Sequence, residues 1–257
     1  MTNMGIMKTV RCLGISALIA LTSVQVGHAA LQGFEPGDPA FSTIGDAGTK
    51  STFQGVAPTQ GANQLLLTTI NTAGQDGTDG YSNQSNSNAV INSALQAFFP
   101  VSGLLGTEGS GLKLTFTIGA GQTQSFDYDF LTTEFGPGSH QDFAFAVVLD
   151  SANNLVGGIR TVASPSSINF GDSSRQLPVG PIGTNPFSFH TGYQTFSISG
   201  LAAGTYTLGL GIEDRTTTDN PSGLLVDNIQ IVPEPSTLGL IAIGAAGLLA
   251  ARRRVRR

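Results

Sequence analysis

Between residues 64 and 232 the chain alternates apolar and polar positions with a period of two, in one short run after another. Leu112, Leu114, Phe116 and Ile118 share one face of a run that ends in the turn Gly119-Ala120-Gly121-Gln122. Phe126, Tyr128 and Phe130 share a face of the next run, with Asp127 and Asp129 on its other side. Two such runs flanking a glycine turn predict a β-hairpin. Runs at 64–70, 142–149, 155–161, 193–198, 204–212 and 224–232 predict further strands. Short strands broken by Gly and Pro, with no alternating helices, predict an all-β antiparallel β-sandwich. One short helix is predicted near 87–98. Ser87 caps a segment in which Val90, Ile91, Ala94, Leu95 and Phe98 share a face, and Pro100 stops it. The polar stretch 71–88 reads as a long loop.

The two ends follow other patterns. Lys8 and Arg11 precede the apolar run Leu13–Leu21, and Gly27-His28-Ala29-Ala30 supplies small residues after it. A basic start, a short apolar stretch and a small-residue exit predict a secretory signal peptide over 1–30, threaded through the secretion translocon and cleaved after Ala29 or Ala30. At the other end, Pro233-Glu234-Pro235 leads into an apolar segment, 237–251, and then into Arg252, Arg253, Arg254, Arg256 and Arg257. As a helix, Leu238–Ala251 is about 21 Å long, a marginal span of the inner membrane. The arginines hold their end in the cytoplasm and the body outside. No repeat or linker divides the middle, so 31–232 is expected to form one domain.

Charge separates the three parts. The middle carries five bases against sixteen acids, whereas both ends are positive. An acidic body without a basic stripe repels phosphates and excludes nucleic acid as a partner. The one cysteine, Cys12, lies in the leader, so the mature protein has no disulfide and no thiol chemistry.

The Pro-Glu-Pro triplet, apolar segment and arginine cluster, in that order at the C-terminus, resemble a PEP-CTERM sorting signal over 233–257. The resemblance covers only this tail. It implies recognition by an exosortase, a transpeptidase-like membrane enzyme, with cleavage at or near Pro233, Glu234 and Pro235. It also implies a membrane-anchored precursor destined for the cell surface or extracellular matrix of a Gram-negative bacterium that makes extracellular polysaccharide.

Two resemblances concern the body. Gly33-Phe34-Glu35-Pro36-Gly37-Asp38, Gly45-Asp46-Ala47 and Leu225-Val226-Asp227-Asn228-Ile229 are similar to the terminal strands of carbohydrate-binding-module-like jelly rolls. That resemblance implies a jelly-roll-like sandwich in which acidic residues from the first and last strands hold a structural calcium. Here Glu35, Asp38 and Asp227 are the candidates, and solvated strand ends are the alternative. The chain departs from the pattern in having no Trp. Gly106–Ser110, Leu131–Phe135 and Asp142–Phe145 resemble a domain recurrent in exported bacterial proteins.

Asp127, Asp129, Glu134 and Asp142 form a second acidic group. Asp127 and Asp129 point the same way from one strand and are expected to lie on its wet face. Ile168-Asn169-Phe170-Gly171-Asp172-Ser173 resembles the nucleophile block of GDSL-type esterases, but that family's Asp-x-x-His near the C-terminus is missing. His140 and His190, the histidines of the mature chain, have no partner the sequence can name. The expected function is that of a non-catalytic surface or matrix protein, structural or adhesive, that meets extracellular polysaccharide. The alternatives are a glycan-active secreted enzyme, which needs only two well-placed carboxylates, and a dedicated carbohydrate-binding module. With four tyrosines and no Trp, a stacking platform for sugars is thin, which favours the structural class.

Overall fold

The computed structural model describes residues 33–70, 89–135, 142–178, 186–215 and 220–233. The leader, the loop 71–88, His140 and the tail beyond Pro233 lie outside the described residues. Twelve strands and one helix follow in the order β1 (Phe41–Ile44), β2 (Asp46–Lys50), β3 (Gln64–Thr68), β4 (Val90–Ile91), α1 (Asn92–Phe98), β5 (Glu108–Ile118), β6 (Gln122–Thr132), β7 (Phe143–Leu149), β8 (Arg160–Ala163), β9 (Phe189–His190), β10 (Gln194–Ile198), β11 (Gly204–Asp214) and β12 (Ser222–Pro233). They form two six-stranded antiparallel sheets. Sheet I runs β1-β5-β11-β7-β8 with β4 on β5, and sheet II runs β10-β6-β12-β3-β2 with β9 on β6. The expected β-sandwich is present, but β5 and β6 do not form the predicted hairpin: the glycine turn carries the chain from one sheet to the other, no ladder joins the two strands, and their apolar faces meet across the core instead.

The inward positions of both sheets form one core. It includes Leu112, Leu114 and Phe116 of β5, Phe126, Tyr128 and Phe130 of β6, and Leu208, Leu210 and Ile212 of β11. The outer faces are apolar as well. Phe145, Val147 and Leu149 of β7 face away from the sandwich and are covered by Leu95 and Phe99 of the helical segment, with Val101 and Leu104. Gly111 and Gly209 make room for that cover, because a Cβ at either would lie within 2.7 Å of the Phe99 ring. On sheet II, Leu66, Leu131 and Leu225 point outward under Phe53, Leu177 and Phe187 from two overlying loops. The Gln54 side-chain amide clips these loops together. It donates to the Phe187 carbonyl at 2.9 Å and accepts from the Phe187 N–H at 3.2 Å.

The helix is shorter than its sequence pattern. Val90 and Ile91, placed on a helical face by spacing, instead pair with Gly109 and Glu108 at the sheet edge. β-branched residues favour that extended backbone, and α1 begins at Asn92 with Ile91 at its N-cap and no side-chain cap, while Ser87 lies outside the described residues. Ile91 is consequently exposed, whereas Leu95 and Phe99 are fully buried. The run 155–161 also departs from expectation. Leu155 makes an isolated bridge to β7, and the paired strand begins only at Arg160 and runs to Ala163.

Two local devices set the register. In β12 a bulge between Asp227 and Gln230, with Asn228 at φ 50°, swaps the faces of the strand. Leu224 and Val226 point into the core before it, and Ile229 and Ile231 do so after it. Without the extra residue, Ile229 would share the outer face with Asp227. At the other edge, β1 and β2 are one chain run that passes from sheet I to sheet II at Gly45. That residue has φ +77°, and an added Cβ would meet Ser110 Oγ at 2.4 Å and the Gly109 carbonyl at 2.8 Å. The Asp46 N–H donates to Ser110 Oγ at 2.7 Å, and Ser110 Oγ donates to the Thr68 carbonyl at 2.6 Å, which locks the crossing.

Gly45→Ala therefore combines left-handed backbone strain with overlap, and it should lower the unfolding free energy by about 2–4 kcal/mol. Gly121→Ala, at φ +68° with nothing within 4 Å of the new methyl, is the control. It should cost only about 1 kcal/mol. Urea denaturation of both variants checks this, and equal losses would mean that the crossing does not depend on the close approach.

Candidate functional site

The outer face of sheet II carries Asp127, Asp129 and Asp227 in adjacent strands, with Asp127 directly opposite Asp227. They are not left to water. Asp227 Oδ2 accepts the N–H groups of Thr59 and Gln60 at 2.7 and 2.8 Å, and its Oδ1 accepts the Asn228 N–H at 2.7 Å. Asp127 accepts from Thr195 Oγ1 at 2.6 Å and from the Asn228 side-chain amide at 2.8 Å. The Thr59 hydroxyl lies 3.0 Å from both carboxylates. Asp129, fully buried, meets His190 Nδ1 at 2.7 Å and Thr191 Oγ1 at 3.1 Å. The wet-face expectation is thus corrected for Asp129, which is fully buried, whereas Asp127 stays half-exposed. Loop 59–63 and strands β9 and β10 with the turn between them bring donors down onto these carboxylates, which fasten them to the sheet.

Glu35, Asp38 and Asp227 gather around the first described segment. Asp38 Oδ2 accepts the N–H groups of Gly33 and Glu35, both at 2.8 Å. Glu35 Oε1 accepts those of Ala62 and Asn63 at 2.5 and 2.8 Å, while Oε2 takes the Asn63 amide at 2.7 Å. A Cβ on Gly33 would stand 3.6 Å from Asp227 Oδ1, which places Asp38 and Asp227 on either side of that glycine. Among the described residues, no three acidic or histidine side chains are spaced to hold a metal ion.

Glu134 and Asp142 belong elsewhere. With Glu108, Glu213 and Asp214 they cluster where β5, β6, β7 and β11 meet one end of the sandwich, and none is more than 6% exposed. Burial, reinforced by the neighbouring Asp214 charge, pushes Glu134 up from an ordinary 4.5 to about 7. Burial first, then Asp214 and Glu134, holds Asp142 well above the usual carboxylate range. Burial also raises Glu213, whose Oε1 accepts the Gly106 N–H. The sequence placed Glu134 and Asp142 beside Asp127 and Asp129, but it could not reveal that Asp214, some 70 residues on, joins them.

His190 is the residue whose partner the sequence could not name. Its Nδ1 faces Asp129, and its Nε2 lies 3.2 Å from the Ser174 carbonyl oxygen. A carbonyl only accepts, so Nε2 carries a proton there, and the Asp129 bond favours a proton on Nδ1 as well. That bond raises the His190 pKa above its ordinary 6.5. The ring, bonded at both nitrogens, ties β9 to the 173–175 turn. In that turn Asp172 caps the Ser174 N–H at 2.9 Å and pairs with Arg175 at 3.8 Å. The esterase-like block is therefore a capped turn.

The PEP-CTERM protein-sorting motif matches residues 232–254, so the tail is a sorting signal and the chain is the exported, membrane-anchored precursor of an exosortase-processed protein. The motif starts on β12, the central strand of sheet II, whose last described residue is Pro233. No curated protein matches the chain significantly. Solved structures similar in overall architecture include a family-61 carbohydrate-binding module in complex with β-1,4-galactotriose, at 13% identity, 79% and 94% coverage of this chain and that one, and TM-score 0.36. The adhesin domain K1 of Lys-gingipain from Porphyromonas gingivalis is 14% identical, with 80% and 98% coverage and TM-score 0.38. A xylan-binding domain of module family 22 is 11% identical, with 83% and 99% coverage and TM-score 0.35.

Glu134, Asp142, Glu213 and His190 all have raised folded-state pKa values. Each binds its proton more tightly folded than unfolded, so its contribution is complete below the unfolded value and is lost as pH rises through the folded one. For Glu134 that window runs from 4.5 to about 7, and for His190 it lies above 6.5. Melting temperature should therefore fall as pH is raised from about 5 to about 8. Asp142→Asn should flatten the fall, and a melting temperature that climbs over this range would contradict the assignment.

Proposed function

We propose that the mature protein, freed of residues 1–30 and of the tail beyond the Pro-Glu-Pro motif, is a non-catalytic structural or adhesive component of the cell surface or matrix, in contact with extracellular polysaccharide. The observation that carries this reading is the attachment of the sorting motif to β12. That strand lies between β6 and β3, and its last residues, Gln230–Pro233, pair with Gln122–Ser125 of β6. Ladder hydrogen bonds run perpendicular to the strands, so tension on the C-terminus loads many of them together in shear. A body held by a central strand suits a protein fixed at one end to a surface.

The placement of the acidic groups supports the non-catalytic half. Glu134, Asp142 and Glu213 are sealed in the sandwich end, and the carboxylates on sheet II are engaged by the segments that cover them. A glycan-cleaving pair would have to reach substrate. Structural calcium at Glu35, Asp38 and Asp227 belongs to the same proposal as a staple between the first segment and β12, one that requires the ion to draw together carboxylates not spaced to share it in this structure. Its support is that each carboxylate has one oxygen with no more than a single described hydrogen bond. Chelation should then lower the melting temperature, because an ion bound only to the folded state stabilises it by mass action. An unchanged curve removes the ion from the account.

Intact-mass measurement of surface-extracted protein tests the main proposal. The expected chain begins at Ala30 or Leu31, ends at or near Pro233–Pro235, and lacks every tail arginine. Glu234→Ala should accumulate as uncleaved precursor in the membrane fraction. A surface protein still ending at Arg257 would leave a plain membrane anchor as the only role of the tail.

A further inference from the structure

One corner of the sandwich is open. β1 pairs with β5 only from Gly111 to Leu114, and β3 pairs with β12 only from Gly223 to Val226. Beyond those points the facing edges of β5 and β12 have no strand beside them among the described residues. Between them lies a cleft of about 250 Å³, lined by residues 114–117 of β5, residues 229–231 of β12, Gln124 and Pro39. The β12 bulge turns Ile229 and Ile231 inward here, opposite Leu114 and Phe116. The walls are therefore largely apolar, with Thr115, Thr117 and Gln230 as their polar members.

The floor is not. Gln124 shares the inward face of β6 with Phe126, Tyr128 and Phe130 and is 1% exposed. Its Nε2 donates to the Ser125 carbonyl at 3.1 Å, whereas its buried Oε1 has no hydrogen-bond partner among the described residues. A shielded amide oxygen without a donor is costly, and a core position on a strand is ordinarily filled by an apolar side chain. No charged residue lines the cleft. An ionic ligand would lose its hydration without compensation, which excludes uronates, phosphates and amines. The volume is below the roughly 300 Å³ at which ordinary ligand pockets begin, so it takes a single ring. An extended peptide would run along the strand edges and leave Oε1 unanswered.

We propose that this cleft binds the end of a neutral polysaccharide chain. One sugar ring lies between the apolar walls, and one of its hydroxyls donates to Gln124 Oε1. The inference deepens the proposed contact with polysaccharide and rests on it. A ring that presents C–H faces and hydroxyl edges satisfies both kinds of surface in the cleft. The free strand edges add peptide N–H and C=O groups at its mouth.

The test uses the processed chain, residues 31–235, titrated with neutral xylo-, cello- and galacto-oligosaccharides, with oligogalacturonate and with an extended polar peptide. Calorimetry gives affinity, and NMR follows the Gln124 side-chain amide and the Ile229 and Ile231 methyl signals. A neutral oligosaccharide should bind and shift those signals, and Gln124→Leu should weaken it at least tenfold without lowering the melting temperature. Ile231→Trp, at the half-exposed mouth, should also block binding, and it decides the matter if the first variant does not fold. Neutral binding that leaves these signals and both variants unaffected would overturn the cleft while sparing the polysaccharide reading. Preference for oligogalacturonate or for the peptide would overturn the neutral-sugar assignment. No binding of any saccharide by the wild-type protein would remove the polysaccharide reading and the cleft together.

Discussion

The strands in the middle of both sheets are apolar on both faces, and the rest of the structure answers that constraint. Leu65, Leu66 and Leu67 of β3 are all buried, as are Leu224, Leu225 and Val226 of β12 and Ala144–Leu149 of β7. A two-layer sandwich hides only one face of each sheet. This chain adds two outer layers, the helical segment on sheet I and the paired loops on sheet II. Ridge and groove fit closely: Phe99 lies over Gly111 and Gly209, and the Phe145 ring lies over Gly211.

Loops that cover an apolar sheet must also satisfy their own backbone groups. The acidic side chains of sheet II do this work. Asp227 takes two loop N–H groups and Glu35 takes those of Ala62 and Asn63, while Asp129 holds the His190 ring and the Thr191 hydroxyl. An acidic body is thus not merely a soluble one. Part of its charge is spent on hydrogen bonds that stitch the cover to the sheet, and part is sealed at the sandwich end, where burial works against ionisation.

The chain's own segments cover the apolar parts of both outer faces and leave Thr115, Thr117 and Thr205 on sheet I and Gln194, Thr195 and Ser197 on sheet II exposed. The strand edges and the sandwich ends complete its free surface. One edge region is opened by the β12 bulge, and one end of β12 carries the sorting motif. The same central strand thereby shapes the open corner, holds the core and leads to the tail.

The sequence alone determined the features that depend on order and periodicity. The sorting tail is legible because three elements stand in a fixed order, and strands β5 and β6 because Leu112–Ile118 and Phe126–Phe130 alternate around a glycine turn, although their placement in opposite sheets is not. The β-sandwich follows from that alternation repeated along the chain. Where period and environment conflict, the tertiary structure decided. Val90 and Ile91 fit a helical face by spacing, but the free edge of β5 offered them a strand. Phe41–Ile44 and Asp46–Lys50 are short and Gly-interrupted, so only their pairing with β5 and β3 makes them strands. The face swap at Asn228 is silent in sequence, since Leu224–Val232 reads as one run. Contacts between distant segments were equally out of reach: His190 with Asp129, Asp214 with Glu134 and Asp142, and Gln124 with Ile229 and Ile231. Periodicity records which face of an element is apolar, but it carries no information on which distant face or loop will meet it.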